Sequence, residues 1–513
     1  MSPTPSQLPT PAFKNEDLPC SYWDGQNQKV VNLTKKLQWF ELYYNGHALK
    51  YTVQIFGVQP AEGYPLFIGF HGGGTDYNGT SNNYSWYDAS TRYFSGPVAT
   101  FADENDLLGK KNGAVLVVPR GVSARTPEQA QYPEKPVDSY MLHSEPESYP
   151  LLEQLIRNLF AKIPLEVNKD KQVSSAIEDY SKLLDSTAPY LVNPNRVFLV
   201  GYSAGGNGVF QLSQRISDRF AAVNAGAGHH EWTNFINVAN LPICLQVGEK
   251  DNKEEGYGIN FDRAAVYANI NKTLDELPAK LGNLTAFHYR HICYMVRGQG
   301  HLGGWHQPNG SNQLQDVIKN VGKWLENRNS VQAQEIYVPQ ININPQRWVN
   351  NYRRNSAPSV AIWDLETRPE MPEGMTVATT LDSQGWQPKR FSYWLYLRSP
   401  QLQNKERLRA EYNRDAKTIN VPEPTWYLAL LFNETMLPFN TDIAVWVAGV
   451  KLQQPVKLTA SQTIKDETWK ARGDPRFIFS AVVYFERSGT SWIAKTATSL
   501  ASIEVQDRIA SKL

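Results

Sequence analysis

NPNRVFLVGYSAGGNGVF, residues Asn193 to Phe210, decides how the rest of the chain is read. An apolar run, Val197 to Val200, meets Gly201, Tyr202, Ser203, Ala204 and two more glycines; Val209, Leu212 and Ile216 then follow helical spacing. A serine between glycines at the abrupt end of a buried strand has two explanations. One is a tight strand-to-helix turn. The other is a nucleophile raised above a sheet in a G-x-S-x-G elbow, where flanking glycines remove Cβ atoms that would collide with a strained backbone. The helix that follows adds the partial positive charge of its N-terminus.

A serine hydroxyl is a poor nucleophile without a base. For this kind of elbow the expected chain order is serine, acid, histidine. His301, in VRGQGHLGG, follows the apolar run HICYMV and is flanked by glycines, as a loop leaving the last strand of a sheet would be. His306 is the second choice, while His229 and His230 come too early and line the cleft or cap a loop. The acid belongs after the preceding strand, and LPICLQVGEKDN offers Asp251, with Glu249 and Glu254 as alternatives. A carboxylate there orients the imidazole and stabilises its charged form. FIGFHGGGTD places His71 to Gly74 after the strand Leu66 to Phe70. Alone this is a flexible turn. Together with the elbow it supplies the N–H groups of Gly72 and Gly73, which with that of Ala204 would form an oxyanion hole.

Around these motifs the chain alternates short apolar strands (KYTVQIF, YPLFIGF, AVLVVP, RVFLVG, AAVNAGA, PICLQV, HICYMVRG) with amphipathic helices such as FDRAAVYANINKTLDEL and NQLQDVIKNVGKWLENR. Strands apolar on both faces predict a mostly parallel, buried sheet, so the fold class is α/β. Residues 1–49 read as an irregular lead-in and 50–327 as the catalytic domain. Within it, 120–193 is an insertion, either a lid or a plain crossover, with helices expected at Leu151–Ile163 and Ser174–Leu184. Residues 328–360 read as a linker. From 361 to 513 the pattern switches to period two, as in DIAVWVAG, with a hairpin turn at NRDAK, and predicts a smaller β-sandwich-like domain.

The motifs resemble the esterase branch of the α/β-hydrolases, which includes polyhydroxybutyrate depolymerase-like, feruloyl-esterase-like and phospholipase/carboxylesterase proteins. FHGGG, VVPRG, GEKD and GQGH fall where that family has its oxyanion strand, a loop, the acid and the histidine, and the likeness runs from about Tyr51 to Asn327. The tail, through RRNSAPSVAIW, NRDAKTINV and KARGDPRFIF, is similar to a C-terminal β-domain of some bacterial esterases and prolyl-oligopeptidase-like enzymes. The resemblance implies an α/β-hydrolase with Ser203, Asp251 and His301 as its triad and no metal or organic cofactor. Two departures stand out. The excursion before the elbow is longer than in compact members, and no signal sequence of the polymer-degrading members is visible.

Composition narrows the partners. In 513 residues the formal net charge is +1 with no long basic run, which gives no electrostatic case for nucleic acid or an anionic membrane. No apolar run is long enough to span a bilayer, and a cytoplasmic protein is the simplest expectation. Cys20, Cys244 and Cys293 have no CxxC spacing, which suggests neither a disulfide framework nor a zinc site. The expected activity is hydrolysis of a small or oligomeric carboxylic ester. A prolyl-oligopeptidase-type peptidase is the first alternative, although no propeller repeat is recognisable; a silent hydrolase-fold binding protein is the second. Trp426, Trp446 and Trp469 read as packing residues of the C-terminal module rather than as a carbohydrate surface.

Overall fold

The computed structural model describes residues 12–24, 29–44, 47–73, 83–94, 98, 113–121, 148–160, 192–230, 233–252, 262–281, 290–296, 300–301, 345–365, 379–382, 385–388, 390–399 and 407–505. Its largest sheet contains β1 (Ala12–Asp24), β2 (Lys29–Tyr44), β3 (His47–Phe56), β4 (Tyr64–Phe70), β5 (Ala114–Pro119), β6 (Val192–Tyr202), β7 (Ala222–Gly226), β8 (Ile243–Gly248) and β9 (His291–Val296). Their spatial order is β1-β2-β3-β5-β4-β6-β7-β8-β9. Pairing is antiparallel from β1 to β5 and parallel from β5 to β9.

The helices α1 (Asn83–Asp88), α2 (Ser148–Phe160), α3 (Ala204–Arg215), α4 (Arg263–Lys280) and α5 (Pro345–Asn350) flank this sheet. β4, β5, β7 and β8 are buried along their whole length, because helices cover both faces. Leu66, Ile68, Val115, Val117 and Leu199 share one core with residues of α2, α3 and α4. Phe67, Leu116, Val118, Phe198 and Val200 face the opposite core, which holds Trp86 of α1 and Val349 of α5. Strand order reverses around β4 and β6, and in such sheets the crevice beyond the carboxyl ends of the strands is the place where ligands bind.

Three expected boundaries are corrected. The sheet starts at Ala12 rather than Lys50, so most of the supposed lead-in is β1 and β2. Its apolar pattern is hidden by interleaved charges: Trp39 and Phe40 are both buried but point into opposite cores, and the Lys50 ammonium covers the Trp39 ring at 4.2 Å. Within the insertion, α2 buries Leu151, Leu152, Leu155, Ile156 and Leu159 against the sheet. At on the order of 2 kcal/mol for each buried side chain, it is a covering helix and not part of a lid. The helix expected at 174–184 lies outside the described residues, as does the one within 312–328. The end of the supposed linker is also core, since Val349 is buried and Trp348 and Tyr352 pack beside it.

In the C-terminal region two sheets enclose one core. The first includes residues 360–364, 407–413, 418–421, 442–447 and 450–451, with 456–457 off its edge. The second includes 391–392, 395–397, 428–432, 481–488 and 491–497. Trp363, Ile419 and Val445 from the first sheet meet Leu395, Leu430 and Val483 from the second. Strand 418–421 pairs in parallel with 442–447, so the first sheet is mixed. The NRDAK segment forms its turn with Lys417 at φ 52°. Trp426, Trp446 and Trp469 are 38, 39 and 41% exposed, which corrects the expectation that they are packing residues; Trp446 lies on the outward side of an alternating strand.

The C-terminal module is joined to the domain of the nine-stranded sheet by buried charges. Asp218, just after α3, accepts from the Arg472 guanidinium at 2.8 and 3.0 Å and from the Tyr393 N–H at 3.1 Å. Asp474 accepts from Arg219 at 2.7 Å and from Arg354 at 2.6 and 3.0 Å. Burial alone would push the Asp474 carboxyl up, but the positive charges of Arg354 and Arg219 hold it down at about 2. Asn237 and Asn240 add hydrogen bonds to the strand at 360–364.

Candidate active site

Ser203 is the residue between β6 and α3, and its backbone lies at φ 55° and ψ −118°. A serine at positive φ carries strain, which the surroundings must over-determine. They do so here: the Ser203 N–H donates to the Gly226 carbonyl at 2.8 Å and its carbonyl accepts from the Asn207 N–H at 3.1 Å. The turn can approach β4 closely only because residue 205 is glycine; a Cβ there would lie 2.0 Å from the Phe70 carbonyl oxygen. The hydroxyl is left at the carboxyl end of the central parallel strand.

His301 lies beyond the end of β9 and Asp251 beyond the end of β8. The Ser203 Oγ is 2.9 Å from His301 Nε2, and His301 Nδ1 is 2.8 Å from Asp251 Oδ2. An ionised Asp251 only accepts, so Nδ1–H donates to it and Nε2 is left to accept the serine proton. Asp251 is fully buried and His301 nearly so. Glu249, the described alternative acid, lies before Asp251 in the same loop, but the carboxylate that meets the imidazole is that of Asp251. Glu254 and His306 lie outside the described residues.

Gly72 and Gly73 follow β4, and a Cβ on Gly72 would lie 3.4 Å from the Ser203 Cβ. This loop therefore runs beside Ser203. Ala204 is the first residue of α3, where backbone N–H groups have no carbonyl partner inside the helix. Gly74 lies outside the described residues.

His71 braces the glycine loop. Its Nδ1 donates to the Gly72 carbonyl at 2.7 Å, and its Nε2 accepts from the Gly121 N–H at 2.8 Å, tying the loop after β4 to the residue after β5. Complete burial, together with the charge of Arg120, lowers its pKa to about 4, although the hydrogen bond to Gly72 opposes the shift. The folded state therefore takes up this proton less readily than the unfolded chain, whose histidine titrates near 6.5. The stabilisation is complete above that value and is lost as pH falls towards 4, by on the order of 3 kcal/mol. The urea midpoint of the wild type is expected to fall between pH 7.5 and 4.5 more steeply than that of His71→Asn; equal slopes would refute this role.

Two contacts were not foreseen from the sequence. Arg263, the first residue of α4, donates through Nη1 to Asp251 Oδ1 at 3.1 Å. Asp251 is thus held between a guanidinium and an imidazole, and its carbonyl caps α4 by accepting from the N–H groups of Arg263 and Ala264. The Tyr202 hydroxyl donates to the His301 carbonyl at 2.6 Å. Neither contact has a local signal, because each joins segments brought together only by the sheet. His229 and His230 belong to the loop after β7. The His229 N–H donates to Asn207 Oδ1 at 2.6 Å, while burial, then the charges of Arg263 and His230, lower the His229 imidazole pKa to about 4. The His230 ring packs against Phe210 and Phe235.

The prolyl oligopeptidase family matches residues 166–279, a span that includes Ser203 and Asp251 and stops before His301. No curated protein matches the chain in sequence. Among solved structures, the chain is similar to a thermostable esterase at 14% identity and TM-score 0.29, over 65% of this chain and 70% of that one. It is also similar to the feruloyl esterase module from Clostridium thermocellum, at 14% identity and TM-score 0.28, over 58% and 84% of the two chains. A third likeness is to an alpha-beta serine hydrolase homologue from Coxiella burnetii, at 12% identity and TM-score 0.27, over 57% and 97%. All three overlap this backbone only loosely.

Proposed function

We propose that this α/β-hydrolase cleaves carboxylic esters through an acyl-enzyme on Ser203. One observation supports it above all: a serine, an imidazole and a carboxylate from three separate strand ends lie in hydrogen-bonded series. His301 Nε2 takes the hydroxyl proton as Oγ attacks the acyl carbon, and Asp251 orients the imidazolium that forms. The N–H groups of Gly72, Gly73 and Ala204 hold the developing oxyanion. The same imidazole returns its proton to the departing alkoxide and then activates the water that releases the acid. An ester is the least demanding acyl substrate for this set, because an alkoxide needs less proton assistance to leave than an amine.

A peptidase is the second reading, favoured by the match to the prolyl oligopeptidase family over residues 166–279. Treatment with a fluorophosphonate followed by adduct mapping is expected to label Ser203; labelling at another residue, or none, ends both readings. Parallel turnover of p-nitrophenyl acetate and a proline p-nitroanilide then separates them. Faster anilide hydrolysis would assign the peptidase.

A further inference from the structure

We infer that Tyr202 is a positioning residue that fixes the base relative to the nucleophile, an inference that rests on the hydrolase reading of Ser203 and His301. Three observations meet at this side chain, which is only 4% exposed. Its hydroxyl donates to the His301 main-chain carbonyl at 2.6 Å. Its ring lies against the imidazole, with centroids 5.2 Å apart and planes inclined by 33°. Its Cδ1 would be 3.3 Å from a Cβ added at Gly72, so the same ring also borders the glycine loop. Tyr93 also packs edge-on against this ring, with centroids 6.2 Å apart.

The covalent setting gives this contact its importance. Tyr202 ends β6 and precedes Ser203, whose backbone is pinned to β7 through the Gly226 carbonyl. The nucleophile therefore cannot shift without Tyr202, and Tyr202 holds the main chain of the base. A proton-transfer distance set on one side by the sheet is thus set on the other by the tyrosine hydroxyl. Asp251 grips the imidazole at Nδ1 but leaves the backbone of residue 301 to be held by another group. Errors of about 1 Å in such placements reduce rates by up to about 100-fold.

Tyr202→Phe removes the hydroxyl and keeps the ring, while Tyr202→Leu removes both. The test is the rate constant and the final amplitude of fluorophosphonate labelling at Ser203, together with kcat and KM for p-nitrophenyl acetate. Loss of one neutral hydrogen bond predicts a phosphonylation rate constant and kcat about 3- to 10-fold lower in Tyr202→Phe, with KM within about twofold. Tyr202→Leu falls by about 100-fold. Amplitude counts folded sites and the rate constant reports their geometry, so a variant that folds poorly still gives a decisive answer. Reduced amplitude at a wild-type rate constant would show a purely structural role and overturn the inference, as would an unchanged rate constant in Tyr202→Phe. If the wild type is not labelled at Ser203, the hydrolase reading itself fails.

Discussion

Ser203→Ala is expected to lower kcat/KM for ester hydrolysis by about 10⁴-fold or more, leaving only the acceleration that binding and oxyanion stabilisation supply. The size follows from the geometry. Removing Oγ leaves His301 Nε2 with no hydroxyl to deprotonate, although the imidazole stays bonded to Asp251 at 2.8 Å. Asp251→Asn should cost about as much by a different route, because an amide favours the wrong imidazole tautomer. It also leaves Arg263 without its anionic partner at 3.1 Å. The double variant should therefore be no worse than Ser203→Ala alone, since groups that act as a unit are not additive. Initial rates with a panel of acyl esters provide the measurement, and a Ser203→Ala variant with more than about a tenth of wild-type kcat/KM would remove this residue from the proposed chemistry.

Asp474→Ala is expected to have the largest effect on folding. Its carboxylate is fully buried between Arg219 and Arg354, both also buried. Removing one member of a buried ion pair costs about 3–5 kcal/mol because the other charge stays desolvated, and two guanidiniums lose this partner. That is a large share of the 5–15 kcal/mol typical of a folded domain. The urea midpoint of Asp474→Ala should fall sharply, with a corresponding loss of soluble protein. Glu486→Ala, which breaks the exposed pair with Lys495, should leave the midpoint unchanged. Equal midpoints for the two variants would show that the buried cluster contributes little. Truncation before residue 354 should abolish the expected ester turnover through the same charges, since Asp218 and Arg219 would then lose Arg472 and Asp474.

The parallel half of the sheet was readable because β4 to β9 are apolar on both faces and end in glycine-bearing loops, so the strand ends that carry Ser203, Asp251 and His301 announce themselves. The antiparallel half was not. β2 mixes charges with aromatics, and its Trp39 is covered by Lys50 of the neighbouring strand β3, so nothing in its own pattern marks it as buried. The sandwich was legible from its period-two strands, but the parallel pairing of 418–421 with 442–447 leaves no trace in composition. Asp218 and Arg219 resemble the solvated end of a helix, although both are buried. Their buried charge partners in the C-terminal module, Arg472 and Asp474, lie 254 and 255 positions later, beyond the reach of any local pattern. The contacts of Arg263 and Tyr202 leave no local signal for the same reason: what matters is which strand ends become neighbours.

The distance between Arg219 and Asp474 also bears on biosynthesis. A ribosome adding roughly 5–20 residues per second needs about 13–50 s to travel the 255 positions between them. Throughout that interval Asp218 and Arg219 wait for their C-terminal counter-ions, Arg472 and Asp474. Docking of the segment after α3 onto Arg472 and Asp474 therefore waits until those two residues have been made, long after Ser203 and His301 themselves.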